Sequence, residues 1–245
     1  MHKILPILTF IVCVNICFAQ TITVQHTYYT CQFDTVFKQG ILNDYWQTAE
    51  HQITAKNKVD RKTVASFYQD NLIPKEYQLA TKKGYQAWNK ANQQNKYDVG
   101  HIVPFEAMAF DVNAAKATML FNTNTAPQSS YFNEHEWALT EKVVLDSLGA
   151  LYDSIHVITG VLINDDSKKM GDVYVPDYYF KIAEFNGQQM CWLGLNDVTN
   201  RDTNHSDIVI SKKLLLSIIK SYYPKLNIYG TETKSREAEG TGSDY

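Results

Sequence analysis

The chain predicts an α+β fold built on a mixed or antiparallel central sheet. Three observations carry that prediction. Apolar, β-rich runs at residues 155–163, 173–185 and 190–195 read as strands, the last two as neighbours in one sheet. Residues 133–148 place Trp137, Leu139, Val143, Val144 and Leu148 at helical spacing. Strands therefore flank a helical segment along the chain, and that helix has an apolar stripe to bury against the sheet.

The elements follow in order. The opening MHKILPILTFIVCVNICFAQ has a positive start at Lys3, an apolar run from Ile4 to Val14 and a small-x-small site at Cys17-Phe18-Ala19. The run is too short to span a bilayer, so residues 1–19 read as a cleaved export signal. This predicts a secreted or periplasmic protein with no membrane attachment after signal removal. Residues 21–26 alternate as a short strand, and residues 57–94 are polar and irregular with some helix. Ser211 can cap a helix that runs to about Tyr222 and is ended by Pro224. The polar stretch TETKSREAEGTGSDY at 231–245 reads as a disordered tail, which leaves one domain over residues 20–230. Cleavage leaves two cysteines, Cys31 and Cys191. In an oxidising compartment they either pair or remain two buried thiols.

Composition narrows the partners. The 245 residues are 44% hydrophobic and 20% charged, with a net charge of −3. No global positive field recruits polyanions, so any nucleic-acid contact must come from a local basic patch. Arginine occurs only at 61, 201 and 236. The lysine pairs at 82–83, 168–169 and 212–213 read as solvated surface, and only one beside a cleft would guide a polyanion.

Chemistry concentrates in the middle of the chain. YDVGHIVP at 97–104 sets Asp98 and His101 three residues apart. NTNTAPQ follows at 122–128, then NEHEW at 133–137, then Glu141. Pro127 and the polar residues through Ser130 read as a loop leading into the helix. On that helix Asn133, Trp137 and Glu141 share one face. The rise from Asn133 to Glu141 is about 12 Å, so the two cannot grip one small ion together. Side chains lean toward the helix N-terminus, so Glu141 can reach water around an ion held by Asn133. One neutral oxygen with several waters suits Mg²⁺, and a neutral imidazole at His101 suits a general base. The chemistry suggested is metal-assisted phosphodiester hydrolysis. His135 falls about 200° around the helix from Asn133; His156 reads as packed in its strand, and His26, His51 and His205 have no partner pattern.

Asp98-Val99-Gly100-His101, Asn124-Thr125-Ala126-Pro127-Gln128, and Asn133 with Trp137 and Glu141 together resemble the DNA/RNA non-specific endonuclease family of the ββα-metal superfamily. HVITGVLI and VYVPDYYFKIAEF resemble its core strands, and the likeness spans roughly residues 55–225. The resemblance implies His101 as general base and Asn133 as the direct ligand of Mg²⁺, with Mn²⁺ as the alternative ion. It implies that Glu141 orients metal-bound water. Asn124 would hold the site's geometry or the phosphate, and Arg61, on a looser match, would contact phosphate. The implied substrates are DNA and RNA, cut with little sequence preference. The family usually has Arg after the motif's Asp, whereas this chain has Val99. That departure keeps two alternatives open: a nuclease-like binding module with little turnover, and a substrate-restricted nuclease toxin.

Overall fold

A computed structural model describes residues 21–51, 58–64, 66–79, 83–199 and 208–229. The predicted leader and tail, with Lys82, Arg201, His205 and Arg236, lie outside these residues. The strands are β1 (Thr21–Gln25), β2 (Thr30–Asp34), β3 (Gln39–Thr48), β4 (Tyr68–Gln69), β5 (Tyr97–His101), β6 (Leu120–Phe121), β7 (Thr125–Ser129), β8 (Ser154–Leu162), β9 (Lys169–Met170), β10 (Val173–Tyr174), β11 (Tyr178–Phe185) and β12 (Gln188–Leu195). The α-helices are α1 (Lys83–Ala91), α2 (Phe105–Met108), α3 (Val112–Ala117), α4 (Ser130–Phe132), α5 (Ala138–Lys142) and α6 (Lys212–Tyr222). A π-helical turn at Asn133–Trp137 joins α4 to α5, and a second at Val143–Leu148 follows, so residues 130–148 form one continuous helix.

Six strands form one antiparallel sheet in the order β1-β2-β3-β8-β11-β12. The fold is α+β, as the alternation of strands and helix requires. One face of the sheet receives the 130–148 helix: Trp137 is fully buried and meets the Tyr179 ring at 5.7 Å. The other face receives α6, whose Leu215 and Ile219 are buried and whose Ser211 Oγ accepts from Leu214 N–H at 3.3 Å. Tyr223 ties the end of that helix to the sheet by donating to the Val161 carbonyl at 3.0 Å.

Two local expectations change. Residues 127–130 are not loop: 127–129 belong to strand β7, paired with β5 so that Pro127 faces Val99 and Thr125 faces His101, and Ser130 opens α4. A two-stranded ribbon leaves outward-facing backbone positions unpaired, which is where proline, lacking an N–H, is tolerated. Residues 173–185 are not one strand. Pro176 interrupts them, β10 pairs with β9, and β11 starts anew at Tyr178. The question of the cysteines also closes: Cys31 and Cys191 are both buried and free. Three strands separate β2 from β12, about 19 Å at ordinary strand spacing, far beyond disulfide reach. Among the described residues no helix is long and apolar enough to cross a membrane.

Candidate active site

The site is built on the β5–β7 ribbon, which lies against the sheet. Tyr179 OH donates to the Ala126 carbonyl at 3.0 Å, and Asn196 Nδ2 donates to that of Pro127 at 2.9 Å. Gly100 is required by packing: a Cβ there would stand 2.2 Å from Gln128 Oε1. His101 closes β5, and the chain leaves it under tight control. Ile102 N–H donates to the Asn124 carbonyl at 2.8 Å, and Val103 N–H donates to Asn124 Oδ1 at 2.8 Å. Asn124 Nδ2 donates to the carbonyls of Val103 and Thr118, both at 2.9 Å, and Oδ1 also accepts from Asn43 Nδ2 at 2.7 Å. The fully buried Asn124 amide thus has both donors and both acceptor sites filled. It braces the backbone behind His101.

The His101 ring rests against Phe67, with centroids 5.3 Å apart. Its Nε2 is sealed and has no hydrogen-bond partner among the described residues, which leaves Nδ1 as the open nitrogen. Burial, reinforced by the charge of Arg61, pulls its pKa down to about 3. The ring is therefore neutral at physiological pH, the form that can accept a proton. Arg61 lies over Phe67 and Phe105, at 5.4 and 5.0 Å from their centroids, and donates through Nη1 to the Val64 carbonyl at 3.2 Å. The structure thus brings Arg61 and His101 to the same phenylalanine, Phe67.

Asp98 links strand to helix. Its Oδ1 accepts from Ser130 Oγ at 2.8 Å, and its Oδ2 accepts from Asn133 Nδ2 at 3.0 Å. That second bond fixes the amide of Asn133 with its nitrogen toward Asp98, so the carbonyl oxygen is free to face outward. Asn133 opens the π turn, one turn inside the helix rather than at its end. π turns inside α-helices recur at functional sites because they redirect side chains. Asn133 and Glu141 are half-buried, and Trp137 between them is buried. Burial raises the pKa of Glu141, and Glu106 adds to the rise, while Lys181 opposes it. Lys181 is itself fully buried, donates to Thr140 Oγ1 at 2.8 Å and lies 4.6 Å from the Trp137 ring centroid.

The donor set fits a hard cation held mainly by water. Among the described residues no group of three or more His, Cys, Asp or Glu side chains is arranged to hold a metal. A free amide oxygen on Asn133, oriented by a carboxylate behind it, is the available protein ligand, and Mg²⁺ keeps several waters. Two residues of this arrangement were not assigned from the sequence. Asp98 stood in the motif, but its hydrogen bond to Asn133 crosses 35 positions. Lys181 has a signal in the sequence, one cation inside the apolar run of β11.

A ribbon ending in a neutral histidine, followed by a helix that presents an oriented amide and then a carboxylate, defines the ββα-metal class of nuclease fold. A family model described as DNA/RNA non-specific endonuclease matches residues 20–208. The chain belongs to that family. It is also similar to a chain in the solved EndoG/EndoGI complex, described as showing the mechanism of EndoG inhibition, with TM-score 0.65 and 21% identity over 84% of this chain and 85% of that one. No curated protein matches the chain.

Proposed function

We propose that the protein is an exported, Mg²⁺-dependent endonuclease that hydrolyses DNA and RNA with little sequence preference. The carrying observation is the pair of bonds from Asp98, which fastens Asn133 to the strand that ends in His101. His101 accepts the proton of the attacking water at Nδ1, and its neutrality at working pH supports that role. Asn133 offers its Oδ1 as the direct metal ligand, and Glu141 accepts hydrogen bonds from water around it. When bound there, Mg²⁺ supplies positive charge to the phosphate and the leaving oxygen. Arg61 adds a cation beside His101, and Asn124 holds the turn that sets the ring's position. Recognition through phosphate supports indifference to sequence.

One observation favours a second reading. Val99 packs, half-buried, against the aromatic cluster of Tyr85, Tyr97 and Phe121 and brings no charge to the phosphate. A binding module with little turnover would need only the surface. The test is incubation of residues 20–245 with supercoiled plasmid and with total RNA, in Mg²⁺ and in excess EDTA, beside His101→Ala. Cleavage that needs both the metal and His101 supports the nuclease. Folded wild-type protein that binds but cuts neither polymer, in Mg²⁺ or Mn²⁺, overturns it.

A further inference from the structure

The odd residues of β5, Tyr97, Val99 and His101, project from one face of the ribbon. Arg61 supplies a cation at the His101 end. At the Tyr97 end stands Lys168, whose Nζ lies 4.6 Å from the Trp88 ring centroid and 5.7 Å from that of Tyr97. Trp88 is itself anchored, donating through Nε1 to the Asn95 carbonyl at 3.0 Å. An aromatic platform of this kind holds an ammonium in place without neutralising it.

Of the other lysines with described side-chain contacts, Lys169 also lies over a ring, 4.0 Å from the Tyr174 centroid, and Lys38 donates to the Glu76 carbonyl at 2.9 Å. Lys58 pairs with Glu106, Lys212 pairs with Glu184, and Lys181 is buried. Lys168 is exposed and, among the described residues, forms no ion pair. Two carboxylates, Asp177 and Asp197, line the cleft beside it. Asp177 Oδ2 accepts from Asn164, Ser167 and Tyr222, and Asp197 Oδ1 accepts from Thr199 N–H and Oγ1. Both are turned to internal donors, and together they make the surface past Lys168 unfavourable to a further phosphate. A cation thus stands at each end of this ribbon face, with the buried Tyr97 and the half-buried Val99 packed on the aromatic cluster between them and acid beyond Lys168.

We propose that Lys168 is a phosphate-binding residue for the polynucleotide backbone, placed about 13 Å along β5 from His101 and so a few nucleotides from the scissile bond. This rests on the nuclease reading of the site. It assigns to a lysine on the β9 side the cationic role that position 99 lacks, and it predicts a preference for polymers over small diesters.

The test uses residues 20–245 as wild type, Lys168→Ala, Lys168→Arg and, as a control on the far face of the sheet, Lys213→Ala. Binding of a fluorescein-labelled single-stranded oligonucleotide of about 20 nucleotides is followed by anisotropy in EDTA across a salt series. Lys168→Ala should weaken binding several-fold and flatten the dependence of log K on log salt by about 0.7. Lys168→Arg should keep the wild-type slope, and so should Lys213→Ala. In Mg²⁺, Lys168→Ala should raise KM for plasmid and leave cleavage of bis(p-nitrophenyl) phosphate unchanged. An unaltered slope in Lys168→Ala, or an equal loss in Lys213→Ala, overturns the assignment. A wild-type protein that cleaves neither substrate sinks the nuclease reading instead, and the binding slopes in EDTA still decide the role of Lys168.

Discussion

His101 and His156 stand on opposite faces of the molecule and receive opposite treatment. His101 is packed on Phe67 beside a cation, with one nitrogen sealed, and its charged form is strongly disfavoured. His156 projects from β8 toward the α6 side. Its Nε2 lies 3.0 Å from Asp44 Oδ2 and its Nδ1 lies 3.3 Å from Glu184 Oε2. Trp46 stacks on it at 4.6 Å, and Lys212 pairs with Glu184 behind it. Burial pulls its pKa down, but the hydrogen bonds and charges of Asp44 and then Glu184 outweigh burial and raise it. Residue type alone therefore says little. A histidine denied a charge partner is held neutral, whereas the charged form of one held between two carboxylates is favoured, and there it bridges β3, β8 and β11.

Loss of the His101 imidazole is expected to act on catalysis. His101→Ala should lower plasmid cleavage on the order of 10³-fold with an unchanged circular dichroism spectrum. Retention of a tenth of the activity would remove His101 from the role of base. Asn133→Ala should come next, abolishing saturation by Mg²⁺ in a titration of cleavage rate. Asp98→Asn should weaken that saturation by about tenfold, because the amide of Asn133 loses its charged anchor. An unshifted Mg²⁺ midpoint in Asp98→Asn would mean the hydrogen bond positions nothing.

The smallest effect is on stability and has a sign. The folded pKa of His156 lies above its ordinary value of 6.5. Its contribution is therefore fully present below about pH 6.5 and is lost as pH rises through the folded value. His156→Gln should cost about 1 kcal/mol in urea unfolding at pH 6, with a smaller cost at pH 8 and no change in cleavage. His101 works the other way, since its folded pKa of about 3 lets the unfolded chain take a proton first and weakens the fold as pH falls from 6.5 toward 3. A cost of His156→Gln that grew between pH 6 and pH 8 would reverse the assignment of the bridge.

How far the sequence could be read depended on what each strand buries. β8 and β12 are nearly continuous apolar runs, and α6 carries its own cap at Ser211, so these were legible almost to the residue. β3 was not, because Gln39, Asn43 and Gln47 point inward and are buried, and buried polar residues hide the alternation that betrays a strand. One of them, Asn43, is the residue that fills the last acceptor site of Asn124. At the site, spacing predicts one face for Asn133 and Glu141. The partners that orient or charge them, Asp98 and Lys181, come from distant strands and leave no local period to read.

The two cysteines have a practical consequence. Cys31 donates to the Thr123 carbonyl at 3.3 Å, and burial holds its thiol well above the ordinary range. Cys191 is 2% exposed, and burial pushes its thiol up to about 11. Thiols that are neither joined nor reachable as thiolate exchange slowly. The fold is therefore indifferent to the redox potential around it. It asks for no oxidising catalyst on the way to its native state, and millimolar reductant should neither lower its melting temperature nor slow its refolding.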